Sequence, residues 1–475
     1  MNIFFRPKIR FNDKELDKYQ TRIVLDNSKH SLVVAAAGSG KTFTIAAKIN
    51  YLVNELEVDL KNILCISFTN ESVNDMKRVF NSNNLDIDVM TFHKFSMSIL
   101  YKENYRISFT SLLPYIVTEY LENIIYFDRL GALYYEYLKD NSINKEYLYN
   151  SICSFINTFK SYGLNINDFI YIIKSSFCYE DKLLLIIIFK IYIIYEEELS
   201  SLGMLDFDDL IMRAIDKVDY MKYFKYKYII IDEYQDTSFI RYRLIKRIID
   251  RFDINLMCVG DDFQSIYKFN GCDIELFTNF KKYFNDSKVL KLKYTYRNPK
   301  DVVNISSRFI MKNNYQIKKR LISNKYVDNS INIVFYKDLY SAYIKVIEEL
   351  DNIMILGRNN DDINMINNGD YNYKDKSIRY LTIHKSKGLE EDNVIIINLL
   401  DNNNSLPSKI KEYDIFKYIK KRDKYLFEEE RRLFYVAITR CRKKVFLFTK
   451  RNKESIFVKE LIKDYKLKIN VFKFD

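Results

Sequence analysis

The run Ser31–Leu52, SLVV-AAAGSGKT-FTIAAKINYL, restricts what this chain can fold into more than any other stretch. Leu32–Ala36 is short and apolar, as a buried strand is, and Thr42–Val53 carries helical spacing at Ile45, Ile49, Leu52 and Val53. A glycine-bearing loop between a strand and a helix lets backbone N–H groups around Gly38–Gly40 wrap phosphates at the helix N-terminus. Ala35, Ala36, Ala37, Gly38, Ser39, Gly40, Lys41 and Thr42 make up that loop. Lys41 would reach the outer phosphates and Thr42 would hold Mg²⁺. The pattern G-x-x-x-x-G-K-[ST] has glycine at its first position, where this chain has Ala35. The bland alternative is a chance G-x-G-K-T on a surface turn.

A second segment weighs against chance. Tyr228-Ile229-Ile230-Ile231 runs into Asp232-Glu233, the pattern of a buried parallel strand ending in two carboxylates. Ligands in α/β sheets sit beyond the C-terminal ends of such strands. Asp232 suits Mg²⁺, and Glu233 can polarise an attacking water. Loop and carboxylates together point to an ATPase or a GTPase. No N-K-x-D guanine-reading element is seen, which favours ATP.

Composition supports this reading at a few points. Ten glycines occur in 475 residues, and Gly38, Gly40, Gly260, Gly271 and Gly388 all fall in motifs, where a backbone need keeps them. The formal net charge of +12 favours an acidic partner such as nucleic acid. The most apolar run, Leu183–Tyr195, is broken by Lys190 and flanked by Asp181 and Glu196, so it reads as a buried helix rather than a membrane span. The six cysteines form no C-x-x-C pair, which argues against zinc and disulfides. With no secretory leader pattern, the expectation is a cytoplasmic, non-secreted protein working where the DNA of an A+T-rich genome is handled.

Asp232–Thr237 reads DEYQDT, which resembles motif II of the UvrD/Rep/PcrA helicases of superfamily 1. Further motifs follow in that family's order. LDKYQ, ending at Gln20, is similar to the Q motif, and AAAGSGKT to a motif I that tolerates alanine first. Ile66–Met76 resembles motif Ia, Thr91–Phe95 motif Ib, and Leu205–Leu210 the segment preceding motif II. Val259–Gly271, Lys293–Asn298, Leu381–Ile397 and Glu428–Cys441 resemble motifs III, IV, V and VI.

The resemblance implies roles for these residues. Gln20 would read adenine, Tyr296 stack on it and Glu390 contact the ribose. Gln264 would sense the γ-phosphate, with Arg297 and Arg440 reaching it from a second domain. Phe68, Phe92, Tyr267 and Phe269 would offer rings for bases to stack on. Thr69, Asn70, Thr91, His93, Thr382 and His384 would hold the sugar-phosphate backbone without reading sequence. The chain departs from the family at Asp17 (usually Asn), Phe43 (Arg), Lys94 (Ser), Phe269-Asn270 (Trp-Arg) and Glu391 (Phe).

The implied fold is α/β, with two RecA-like P-loop domains and a helical 1B insertion. Residues 1–97 and 205–290 are assigned to domain 1A, 98–204 to 1B, and 291–475 to 2A. Only about 80 residues separate motifs IV and V, so a 2B domain is absent or vestigial. The implied activity is ATP- and Mg²⁺-dependent movement along single-stranded DNA, with 3′ to 5′ unwinding at duplex junctions. Direction rests on the resemblance alone, and protein partners are unassigned. One rival is a translocase that strips proteins from DNA without unwinding. Another is a DNA-binding module with a relic ATP site, against which the full set of catalytic groups argues.

Overall fold

The computed structural model describes residues 9–474 apart from 102–105, 109–110, 128, 130, 133–134, 136–144, 368–376, 411–413, 421–424 and 466–467. Those positions fall within the expected domain spans and lie outside the described residues.

Two six-stranded sheets, parallel throughout, organise the chain. The first contains β1 (His30–Val34), β2 (Ile63–Ser67), β3 (Asp88–Thr91), β4 (Tyr228–Ile231), β5 (Asn255–Gly260) and β6 (Lys288–Lys291). Its strand order is β6-β1-β5-β4-β2-β3. Strand residues alternate between faces. Leu32, Val34, Ile229, Ile231, Leu256 and Cys258 enter one core, while Val33, Ile230, Met257 and Val259 enter the other. Both faces are covered, which is why these strands read as unbroken apolar runs.

The second sheet contains β7 (Ile331–Tyr336), β8 (Ile353–Gly357), β9 (Ile378–Thr382), β10 (Glu391–Ile396), β11 (Cys441–Thr449) and β12 (Asn470–Phe474), ordered β9-β8-β10-β11-β7-β12. Here too the faces alternate, with Met354, Leu356, Val394 and Ile396 on one side and Ile353, Ile355 and Ile395 on the other. An apolar seam of Ala36, Phe263, Val303, Ile310, Leu321 and Tyr435 joins the two layers, with the Phe263 and Tyr435 rings edge to face at 5.2 Å.

Between β3 and β4 lies a helical layer that includes Leu112–Glu122, Lys145–Ser161, Ile166–Ser175 and Tyr179–Ser201. The last of these contains the apolar run Leu183–Tyr195, and its Leu185, Ile188 and Ile191 are fully buried. No helix among the described residues is long and apolar enough to cross a membrane. The segment after β10 reaches into this layer. Ile415 and Phe416 join its core, the Phe416 ring lies 5.8 Å from Phe155, and Tyr418 donates to Asp181 at 3.0 Å. The C-terminus of the Lys145–Ser161 helix presses on the turn at Gly271. That residue has φ +74°, and a Cβ there would collide with Ser161.

Candidate functional site

Strand order decides where the site forms. β1, β5 and β4 are neighbours, so the loop after β1, the carboxylates after β4 and the turn after β5 emerge side by side. They open on a cleft of about 440 Å³ lined by Ala36–Thr42, Asp232, Glu233, Gln264, Tyr296, Arg297, Glu390 and Arg440. Ala35 sits one residue behind the lining. Its side chain is buried in the core, and its N–H continues the ladder to Gly260 at 2.7 Å.

Gly38 and Gly40 have φ of +67° and +75°, the left-handed region that favours glycine. A Cβ on Gly38 would strike Arg297, so the loop and the second half of the chain meet there backbone to side chain. Ser39 Oγ accepts the Ala36 N–H at 3.2 Å, which tightens the turn. Gly40 then starts the Lys41–Asn54 helix.

Lys41 Nζ lies 2.5 Å from Glu233 Oε1. Burial opposes the Lys41 charge, but Glu233 and Asp232 outweigh it and hold its pKa above the usual value. The two adjacent carboxylates diverge. Burial, with Glu233 beside it, pushes Asp232 up, whereas for Glu233 burial is overcome by Lys41 and Lys387, which hold it down. Glu233 is therefore the more acidic of the two, an acceptor poised in the cleft. Its φ of +52° is rare for a side chain other than glycine. The Thr42 hydroxyl and the Asp232 carboxylate are oxygen donors lining the same cleft, the type of set a hard divalent cation takes.

Gln264 lies between two partners of opposite kind. Its Nε2 donates to Asp261 Oδ2 at 2.6 Å, and its Oε1 accepts from Arg440 at 3.0 Å. Arg440 is 1% exposed at the end of the Glu428–Ile438 helix. Burial, reinforced by Arg297, lowers its pKa to about 9, which keeps it charged near neutrality. Arg297 donates to Glu390 at 2.5 Å, so the expected ribose ligand is paired with the expected arginine.

At the other end of the cleft, Tyr296 OH donates to Asp17 Oδ2 at 2.7 Å. Asp17 also caps the Lys18–Val24 helix in a reciprocal box with Gln20. Gln20 is itself nearly fully buried beneath Gly40. A departure from the family pattern at Asp17 thus becomes a contact holding the Tyr296 ring.

The residues expected to face nucleic acid fall into two groups. Across the junction of the two sheets, Phe269 is 46% exposed and packs edge-on to His384 at 5.6 Å, while Tyr267 OH donates to the His384 carbonyl at 3.3 Å. Thr382 stands at the end of β9 beside them. The other group surrounds the ends of β2 and β3. Phe68 is partly buried, Asn70 is exposed, and His93 packs on Phe207 at 4.4 Å. The Thr69 and Thr91 hydroxyls cap the helices that follow them. Phe92 needs correction. It is 2% exposed, because the first turn of its helix points the ring into the core beneath Phe68, and it offers no face for stacking. Burial lowers both His93 and His384 to a pKa of about 4, helped by Arg241 at the first and by Arg358 and Lys387 at the second.

Sequence reasoning passed over two cations that join the halves of the chain. Lys387 is ion-paired to Asp236, donates to the Gln264 carbonyl at 2.8 Å, and lies 4.7 Å above the Tyr267 ring. Arg432 donates to the Ser265 carbonyl at 2.7 Å. Both lie inside quoted motifs, but a lysine or arginine among many basic residues carries no sequence mark of its partner.

A family model described as UvrD/REP helicase N-terminal domain matches residues 16–285, and one described as UvrD-like helicase C-terminal domain matches residues 361–452. The chain is similar to the ATP-dependent DNA helicase PcrA of Bacillus subtilis, 31% identical over 333 residues, or 68% of this chain and 42% of the relative. It is also similar to the ATP-dependent DNA helicase Rep of Buchnera aphidicola, 27% identical over 392 residues, or 79% of this chain and 53% of the relative. The chain thus spans about half the length of these relatives or less.

Proposed function

Given that the chain belongs to the UvrD/Rep helicase family, we propose that it is an ATP-driven motor that moves along single-stranded DNA and unwinds duplexes 3′ to 5′. The observation that carries this reading is the Arg440–Gln264 contact, in which the two sheet layers contribute groups to one cleft. Lys41, Arg297 and Arg440 are available to the charge that develops on a transferred phosphoryl group. Glu233, held ionised, is available to the attacking water. Thr42 and Asp232 would hold Mg²⁺, which neutralises charge on the outer phosphates when bound.

Movement requires the cleft and the DNA face to be linked. Ser265 directly follows Gln264, and Tyr267 and Phe269 lie a few residues further on, against His384 of the other layer. Closure around ATP would shift that junction, and with it a stacked base. The polarity follows the family. In the compartment where DNA is handled, single strands and duplex junctions are the proposed partners.

Translocation without productive unwinding is the second reading. Between Pro299 and Tyr380 the described residues form helices Lys300–Ile310, Leu339–Glu348 and Asn360–Asn367, strands of the second sheet and the connections between them, which favours a chain without a 2B domain. Strand displacement on 3′-tailed and 5′-tailed duplexes, run beside displacement of a protein bound to a single strand, separates the readings. Unwinding of the 3′-tailed duplex supports the first, and protein displacement alone supports the second.

A further inference from the structure

Lys319 belongs to none of the motifs, yet its ammonium group is fully enclosed beside the cleft. Its side chain is 0% exposed, as are those of Asp261 and Asp262. Nζ is ion-paired to Asp261, lies 2.7 Å from Asp262 Oδ1, donates to the Ala35 carbonyl at 2.8 Å, and sits 3.8 Å above the Phe263 ring. An ammonium group has three protons to give, and here all three have oxygen acceptors. Burying an ammonium group carries a desolvation cost that these acceptors offset, so its place here calls for a purpose.

That purpose is visible one bond further on. Asp261 receives Lys319 on Oδ1 and the Gln264 amide on Oδ2 at 2.6 Å. A carboxylate can only accept and a guanidinium can only donate, so Asp261 and Arg440 together fix which end of the Gln264 amide faces which way. Turned over, the amide would set oxygen against carboxylate and N–H₂ against guanidinium. Lys319 holds the Asp261 carboxylate in place through the ion pair at Oδ1. It reaches in from the connection between the Lys300–Ile310 helix and β7, the segment that leads from one sheet to the other. Asp262 is held differently. Its Oδ2 accepts the Ile317 N–H at 2.7 Å, and it makes no bond to Gln264.

We infer that Lys319 is a positioning residue for nucleotide hydrolysis, acting through Asp261 to orient the Gln264 amide toward the phosphate and Arg440. This rests on the ATP-hydrolysing role proposed above.

The test uses the full chain and three variants. Asp262→Asn keeps the Lys319–Asp261–Gln264 chain. Lys319→Met/Asp262→Asn breaks it while removing one buried charge of each sign, so the net buried charge stays the same. Asp261→Asn breaks it one bond later, with Lys319 still paired to Asp262. Steady-state ATP hydrolysis at saturating single-stranded DNA gives kcat and KM for each. The expected result is an Asp262→Asn enzyme within about threefold of the parent, and about 10- to 100-fold lower kcat in the other two with KM for ATP little changed, the pattern of a group acting in the transition state. If the double variant shows no cooperative thermal transition, the comparison of Asp261→Asn with Asp262→Asn decides alone. Equal kcat in those two, or a loss expressed in KM, would overturn the inference. A parent protein that hydrolyses no ATP would instead overturn the reading on which the inference rests.

Discussion

Arg440 donates to Gln264 at 3.0 Å from the opposite layer of the molecule, and both side chains line the same cleft as Lys41 and Glu233. The contact spans 176 residues of sequence and joins the end of the Glu428–Ile438 helix to the turn after β5. The proposed hydrolysis would require the two layers to close on the nucleotide.

Arg440→Ala and Arg297→Ala should each lower ATP turnover by about 10³-fold or more, the range for an arginine that stabilises phosphoryl-transfer charge. Binding of labelled single-stranded DNA should stay within a few-fold of the parent. Retained turnover with lost DNA binding would make these arginines nucleic-acid ligands instead.

Lys41→Ala and Glu233→Gln should each reduce DNA-stimulated turnover by at least about 10²-fold. Glu233→Gln should still bind ATP, because the loop N–H groups and Lys41 remain. Equilibrium binding of a fluorescent ATP analogue, read beside turnover, checks both halves of the statement.

Two phenylalanines that look alike in sequence should behave differently. Phe269→Ala removes an exposed ring and should weaken single-strand affinity by about 1–3 kcal/mol with little change in thermal stability. Phe92→Ala opens a cavity in the core and should cost about 3–5 kcal/mol of stability. Anisotropy with labelled strands and thermal denaturation, applied to both variants, distinguish the roles.

That pair illustrates what was legible. The glycine loop, the strand ending in Asp232 and the order of the motifs named the residues that line the cleft, because those features depend on local backbone form and on residue type at fixed spacing. Strands β10 and β11 begin at Glu391 and Cys441, ahead of the apolar residues that start at Val394 and Val445. Their first residues are polar or charged, and they pair because the neighbouring strands supply partners. Exposure was not legible. Phe68 and Phe92 stand in similar motifs, and only packing beneath the sheet edge buries the second. Nor could the sequence mark Lys387 or Lys319, whose partners are 151 and 58 residues away.

The buried histidines set a pH dependence. In the folded state His93 and His384 titrate near 4, against 6.5 for the free side chain. Between those values the unfolded chain binds more protons, so their contribution to stability is intact above about pH 6.5 and is lost as the pH falls toward 4. The thermal midpoint should drop over that window, and His384→Asn should flatten the slope. An unchanged slope would show that other groups govern it.

Affinity for single strands should fall steeply with salt, with a log–log slope of about −0.7 per phosphate neutralised, and should vary little with base sequence.

The cleft and the proposed DNA face should act as one machine across the two layers. ATP hydrolysis by the parent protein, measured with and without single-stranded DNA, tests it most directly. Strong stimulation by DNA that disappears in Arg440→Ala is the expected result. Equal turnover with and without DNA would contradict it.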